Sequence, residues 1–231
     1  MGKAGILIPA YNEEKTIGKV VEECKANLPN ALILVVDDGS TDKTGEIAGK
    51  HGAKVLRHEV NKGKGEALKT GLEYFRRRGF DFVGVIDADL QYSARDLKKI
   101  FSALKYSDVV MGCRYFSHIP FRHRLGNFVW RTAFNFLFGT GFRDTNCGLL
   151  GFSQRALREI KNIHGGYIVE NSILAEAVEK NMKVTQVPVR VRYHATSSLA
   201  RGTRIVLGVL LFILKEGLKY RFRKLFSKFS G

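Results

Sequence analysis

Five short apolar runs, at residues 4–8, 32–36, 54–56, 83–86 and 108–113, alternate with segments whose apolar residues recur at helical spacing. Ile17, Val20, Val21 and Cys24 form one such set, and Ala67, Leu68, Leu72 and Phe75 another. Parallel neighbouring strands need helical crossovers, so this alternation restricts the chain to an α/β fold, a mainly parallel sheet flanked by helices. The 231 residues, 45% of them apolar, suffice for one such core.

Three of the runs stop at polar motifs: Pro9-Ala10-Tyr11-Asn12-Glu13, Asp37-Asp38-Gly39-Ser40, and Asp87-Ala88-Asp89 with Gln91 close behind. Open α/β sheets bind ligands beyond the carboxyl ends of their strands, which places these motifs on one ligand-facing edge. Tyr11 can stack on a flat base, and Asp37 or Asp38 can accept hydrogen bonds from a base or ribose. Asp87 and Asp89 suit Mg²⁺ or Mn²⁺, hard cations that take one or two carboxylates and complete their shell with water and phosphate. Alone, each motif also reads as an ordinary turn or helix entry. Ser40 or Thr41 is placed to cap the helix through Ile47 and Ala48, and Ser93 with Asp96 marks another helix start.

The second half has a different texture. Residues 109–143 contain no acid, while Arg114, Arg122, Arg124, Arg131 and Arg143 alternate with Phe116, Phe121, Phe128, Trp130, Phe134, Phe136, Phe138 and Phe142. This reads either as a core helix with solvated arginines or as a helix at a lipid surface. A polar turn from Asp144 leads to a short strand ending at Phe152, and Ser153 begins another helix. Residues 166–180 read as helix and 184–191 as a strand, with Pro188 assigning the latter to a sheet edge. Residues 180–231 hold twelve basic residues against the single acid Glu216, much of the net charge of +16. Such asymmetry calls for an anionic partner. The tail, 204–229, joins the apolar run 205–214 to interspersed cations and aromatics; ten residues cannot span a bilayer, so it is expected to lie on an anionic membrane surface, the alternative being a terminal helix packed on the catalytic domain with its cations in water. Cys24, Cys113 and Cys147 form no metal-binding or disulfide pattern. The expectation is a cytoplasmic protein with no signal peptide ahead of the first strand and with buried thiols.

Taken in order, PAYNEE, VVDDGSTD, NKGKGEAL, DADLQ, Arg114 and the late Gly148-Leu149-Leu150-Gly151-Phe152 resemble the family 2 glycosyltransferases of the GT-A (Rossmann-like) fold, over roughly the first 190 residues. Within that family the chain looks most like the dolichyl-phosphate mannose or glucose synthases. The resemblance implies an enzyme that moves a hexose, with inversion, from a nucleotide-diphosphate sugar (GDP-mannose or UDP-glucose) to a polyprenyl phosphate at the inner face of the cell membrane. It also implies roles: Pro9, Tyr11, Glu13, Asp37, Asp38, Lys62, Gly65, Asp87 and Ala88 around the nucleotide sugar, and Asp87, Asp89 and Gln91 at a Mg²⁺ or Mn²⁺ site. Asp89, Arg114, Arg131 and Asp144 stand as catalytic candidates, and Arg192, His194 and Arg201 as acceptor contacts. The catalytic domain would span 1–202 and the amphipathic surface tail 203–231.

One departure bears on the acceptor. The synthases usually close this region with Arg-x-x-Gly-x-Ser-Lys, whereas Ala195 and Ser198 stand here in place of the glycine and lysine. A phosphate acceptor is already anionic and needs no general base. A sugar hydroxyl would need one, and Asp144 is the nearest carboxylate to that role. A non-catalytic nucleotide-sugar-binding membrane protein is the other alternative. A nucleic-acid partner is not expected, because the basic charge lies outside the strand-end cluster and no helix-turn-helix, RRM or zinc-finger pattern appears.

Overall fold

A computed structural model describes residues 2–115, 121–192 and 199–229, with side chains for 2–115, 125–192 and 207–226. In chain order the first half gives β1 (Ala4–Ala10), α1 (Ile17–Asn27), β2 (Leu32–Asp37), α2 (Thr44–Lys50), β3 (Lys54–Arg57), α3 (Lys64–Arg77) and β4 (Phe82–Val85). There follow α4 (Leu97–Leu104), β5 (Val109–Arg114), α5 (Phe121–Phe138), β6 (Leu150–Ser153), α6 (Gln154–Glu159), α7 (Val169–Glu179), β7 (Val184–Val189) and α8 (Leu199–Phe229). The strands form one sheet in the order β3-β2-β1-β4-β6-β5-β7.

The central strands β1, β2 and β4 are apolar on both faces because helices cover both sides, burying Ile6, Leu7, Ile8, Leu34, Val35 and Val83. Every pairing is parallel except those of β6, which runs against β4 and β5. The short strand expected before Ser153 is therefore the one reversed strand, a direction that no motif in the sequence announces. Pro188, which lacks an N–H, sits in β7 at the sheet edge as expected.

The parallel register delivers the polar motifs together. Ala10 lies beside Asp37 and Leu7 beside Val85, so the chain leaves β1, β2 and β4 along a common carboxyl edge. Gly39 makes the turn after β2 with φ +75°, and an added Cβ would stand 2.5 Å from the Val60 carbonyl carbon. Only glycine fits there.

Ser40 and Thr41 do not cap α2, contrary to the sequence reading. Ser40 Oγ accepts from the Asn12 amide (3.0 Å), and Asn12 Oδ1 accepts from the Thr41 amide (2.8 Å), which staples the β1 loop to the β2 loop. Asp42 is the residue that turns back, accepting from the Thr44 amide at 2.9 Å. Ser153, in contrast, caps α6 through the Ala156 amide, and Ser93 caps a short 3₁₀ turn before α4.

The aromatic, basic segment is the helix α5, and α8 packs against it. Val209 and Ile213 are buried, Gly217 lets the helices close on Leu137, and the Tyr220 ring stacks on Phe138 at 5.2 Å. Arg221 Nε donates to the Leu137 carbonyl (2.8 Å), satisfying one of the open carbonyls at the end of α5. The opposite face of α8 keeps Leu207, Leu211, Leu214, Leu218, Phe222 and Leu225 exposed at helical spacing.

Candidate active site

The first part of the candidate site is built on the β1 and β2 ends. Tyr11 is exposed and Asn12 adopts φ 55°, so the chain after Pro9 turns outward while the Tyr11 ring stays accessible. The Glu13 amide donates to Thr44 Oγ1 (2.7 Å), and its carboxylate accepts from Thr16 Oγ1 (2.7 Å). Asp37 and Asp38 are both buried. Asp37 accepts from the Ser40 amide and faces Arg57 Nε at 3.6 Å. Asp38 accepts from the amides of Lys62 (3.0 Å) and Gly63 (2.7 Å) and meets His58 Nδ1 at 2.6 Å, while His58 Nε2 lies 2.9 Å from Thr70 Oγ1. Its carboxylate thus clamps the glycine loop onto the strand end. Gly65 fits because its Cα lies against the backbone of Gly165, where a Cβ would come within 2.7 Å.

The acidic half follows β4. Ala88 is buried and Leu90 takes φ 61°, a left-handed conformation that a residue other than glycine adopts only at a cost and that sets the direction of the loop. Asp89 accepts from the Gln91 amide at 3.0 Å. Burial holds its carboxyl above the usual carboxylate range; the Gln91 amide works against this, Glu13 adds to it, and Lys64 again opposes. Asp87 pairs with Lys64 Nζ at 2.7 Å, and the same ammonium donates to Glu170 Oε1 at 3.1 Å.

Behind these acids, the Gly148 amide donates to the buried Tyr92 hydroxyl (3.1 Å), and a Cβ on Gly148 would overlap Asp87 Oδ2. Gly148→Ala is expected to displace Asp87 and weaken donor binding about tenfold or more while the protein stays folded, measured as the Kd for nucleoside diphosphate beside a melting curve. Unchanged affinity would show that the Asp87 position is unimportant.

The basic half lies on β5 and the loop before β6. Arg114 Nε and Nη2 donate to Asp144 at 2.7 and 2.9 Å, its backbone amide meets the same carboxylate at 3.2 Å, and the Asn146 amide adds a further donor. The paired side chains are 9% and 6% exposed. Burial alone would raise the Asp144 carboxyl, but the bonds and charge of Arg114 outweigh it and hold it below its ordinary range. Arg131 lies alongside, 5.5 Å over the Phe128 ring with Nη1 at 3.5 Å from the Arg143 carbonyl. Arg192 is exposed, and its amide donates to the Gln91 carbonyl (2.8 Å), joining the end of the β7 segment to the Asp89 loop. His194, and the side chain of Arg201 on α8, lie outside the described residues. Cys24 and Cys147 are buried with their thiols pushed up to about 12, principally by burial, and act as inert packing groups.

Lys64, Glu170, Tyr92 and His58 belong to this arrangement although no sequence motif singles them out for a role. Lys64 sits inside the NKGKGEAL loop, a partial signal; Glu170 is one helix-start acid among several, 106 residues further along.

A sheet of this order, with one reversed strand and acids at the carboxyl ends of β1, β2 and β4, is that of a GT-A glycosyltransferase. The chain belongs to glycosyl transferase family 2, whose family model matches residues 5–161. It is 31% identical to the UDP-N-acetylglucosamine–dolichyl-phosphate N-acetylglucosaminyltransferase of Methanococcus voltae, over 90% of this chain and 92% of that one. It is 27% identical to the polyprenol monophosphomannose synthase of Mycolicibacterium smegmatis, over 80% and 75% of the two chains. Among solved structures, glucosyl-3-phosphoglycerate synthase of Mycobacterium tuberculosis, crystallised with Mn²⁺, uridine diphosphate and phosphoglyceric acid, superposes with a TM-score of 0.79 at 24% identity, over 94% of this chain and 78% of that one. This last likeness concerns the fold.

Proposed function

We propose that this glycosyltransferase moves a hexose or N-acetylhexosamine, with inversion, from a nucleotide-diphosphate sugar to a polyprenyl phosphate at the cytoplasmic face of a membrane. The observation that carries the choice of acceptor is the condition of Asp144. A hydroxyl acceptor needs a carboxylate free to take its proton, yet Asp144 is buried in a bidentate pair with Arg114 and its carboxyl is held below the ordinary range. A phosphate acceptor loses no proton. Its oxygen attacks the anomeric carbon on the face opposite the nucleotide, the bond from that carbon to the diphosphate oxygen breaks, and the nucleoside diphosphate leaves. Arg114, fixed by Asp144, and Arg131 beside it supply positive charge for the two anionic groups. Tyr11 stacks on the base, and the Asp38 clamp shapes the loop beneath the nucleotide.

The acids fit a divalent cation. Asp89 carries a carboxyl raised by burial, and it accepts a hydrogen bond from the Gln91 backbone amide. Among the described residues no three acidic, histidine or cysteine groups gather at one point. Asp89 and Asp87 would therefore hold Mg²⁺ or Mn²⁺ together with water and the diphosphate, and the ion would neutralise charge on the leaving group. Measuring nucleoside-diphosphate release across GDP-mannose, UDP-glucose and UDP-N-acetylglucosamine tests the reading. Release should rise with a short polyprenyl phosphate and stay unaffected by free sugars; stimulation by a sugar hydroxyl instead would favour the other acceptor class.

Among the described residues no helix is long and apolar enough to cross a membrane. The exposed stripe of α8, flanked by Lys215, Lys219 and Lys224, instead suits the surface of an anionic bilayer. Because the other face of α8 buries Val209 and Ile213, deleting the helix would unroof α5, and substitution is the cleaner probe. Leu211→Ser with Phe222→Ser is expected to weaken binding to anionic vesicles about tenfold or more, since each apolar side chain removed from water is worth roughly 1.5 to 3 kcal/mol. Turnover of a water-soluble short-chain acceptor should hold steady. Unchanged vesicle binding would remove the membrane role.

A further inference from the structure

Lys64 stands where four parts of the chain converge. Gly63, at φ +90°, and Gly65, backed against Gly165, fix the backbone on either side of it at the start of α3. Its ammonium reaches Asp87 from the end of β4 at 2.7 Å and Glu170 from the start of α7 at 3.1 Å. Gly148, held by Tyr92, closes the far side of Asp87. Lys64 remains 31% exposed while Asp87 and Glu170 are 22% and 11% exposed, so the pair is open to an incoming ion. Asp87 is one of the two carboxylates of the Asp-Ala-Asp motif assigned above to a divalent cation, and it is the one that Lys64 and such an ion would both claim.

We propose that Lys64 is the resident counter-cation of Asp87, giving up that carboxylate when a divalent cation enters, and that Glu170 is the positioning residue that receives the displaced ammonium. This rests on the donor-site reading above. Two carboxylates on one ammonium make the exchange inexpensive, because Lys64 leaves Asp87 without losing its only partner. The arrangement keeps Asp87 neutralised before the donor arrives and links α7 to the donor site.

The test is Mn²⁺ binding to the full chain, followed by electron paramagnetic resonance without donor or lipid and repeated with uridine diphosphate. Lys64→Gln should bind Mn²⁺ about tenfold more tightly than the parent protein, because a cation beside a carboxylate shifts its occupancy by at least that factor. Lys64→Arg should bind as the parent does. Glu170→Gln should bind more weakly, since Lys64 then has Asp87 alone. These opposite directions separate ion exchange from a merely structural bridge, whose loss would weaken Mn²⁺ binding in both cases. Melting curves establish that each variant folds; if Glu170→Gln does not, the two Lys64 variants decide. Mn²⁺ affinity that is unchanged or lower in Lys64→Gln overturns the proposal. A free-Mn²⁺ signal that no variant attenuates, with or without uridine diphosphate, overturns it together with the metal assignment, whereas failure to use a lipid acceptor overturns the acceptor reading alone.

Discussion

Asp89→Ala should reduce turnover by at least about a hundred- to a thousandfold, the loss expected when a group stabilising developing charge is removed. The same substitution should leave the melting temperature unchanged or slightly higher. Asp89 lies beyond the end of β4, and its carboxylate accepts from the Gln91 amide. Burial raises its carboxyl, so in the protein alone its negative charge is held at a cost, and alanine relieves that cost. Steady-state turnover at saturating Mg²⁺ or Mn²⁺, set beside calorimetry, makes the comparison. Full turnover in the variant would remove Asp89 from the cation site, and a large drop in melting temperature would show that its role is in folding.

The second large effect is structural in origin and functional in consequence. Asp144→Ala leaves the Arg114 guanidinium, 9% exposed, without its carboxylate. Breaking one side of a buried pair costs about 3 to 5 kcal/mol, on the order of 10 °C in melting temperature for a chain of this size. Arg114→Met combined with Asp144→Ala should recover much of the stability and none of the activity, because packing is restored while the cation proposed to serve the phosphates is lost. A double variant as unstable as the single one would contradict the pairing argument. The pH dependence has a definite sign. The folded carboxyl is depressed below its unfolded value, so its contribution is full above about pH 4 and is lost only as the pH falls through the lower folded value. The stability gap between parent and variant, followed by denaturant melts, should be flat from neutral to weakly acidic pH and close in stronger acid.

Much of the frame was legible because its signals are local. Apolar runs of strand length separated by helical periodicity specify an α/β sheet wherever they occur, and residues 4–8, 32–36, 83–86 and 108–113 match observed strands to within a few residues. The reversal of β6 was not legible, since a four-residue apolar strand reads the same in either direction and its orientation depends on β4 and β5 packing against it. Nor was the capping of α2. Ser40 and Thr41 have the right chemistry for a cap, but Asn12, 29 residues earlier than Thr41, engages them first.

For the site, the sequence by itself determined which residue types stand at the carboxyl edge: the acids after β2 and β4, the tyrosine after β1 and the basic residues that follow. Their chemistry and their place at strand ends are properties of neighbouring residues, and those survive folding unchanged. Only the tertiary structure decided what each group is free to do. It turned Asp38 inward to clamp Lys62 and Gly63, joined Asp144 to Arg114 across 30 residues, and set Lys64 between Asp87 and Glu170. It also divided the tail into a face packed on α5 and a face left apolar in solvent. Each of these outcomes is a competition among partners far apart in the chain, settled by burial and by the distance at which opposite charges meet, and a linear sequence carries no measure of that distance.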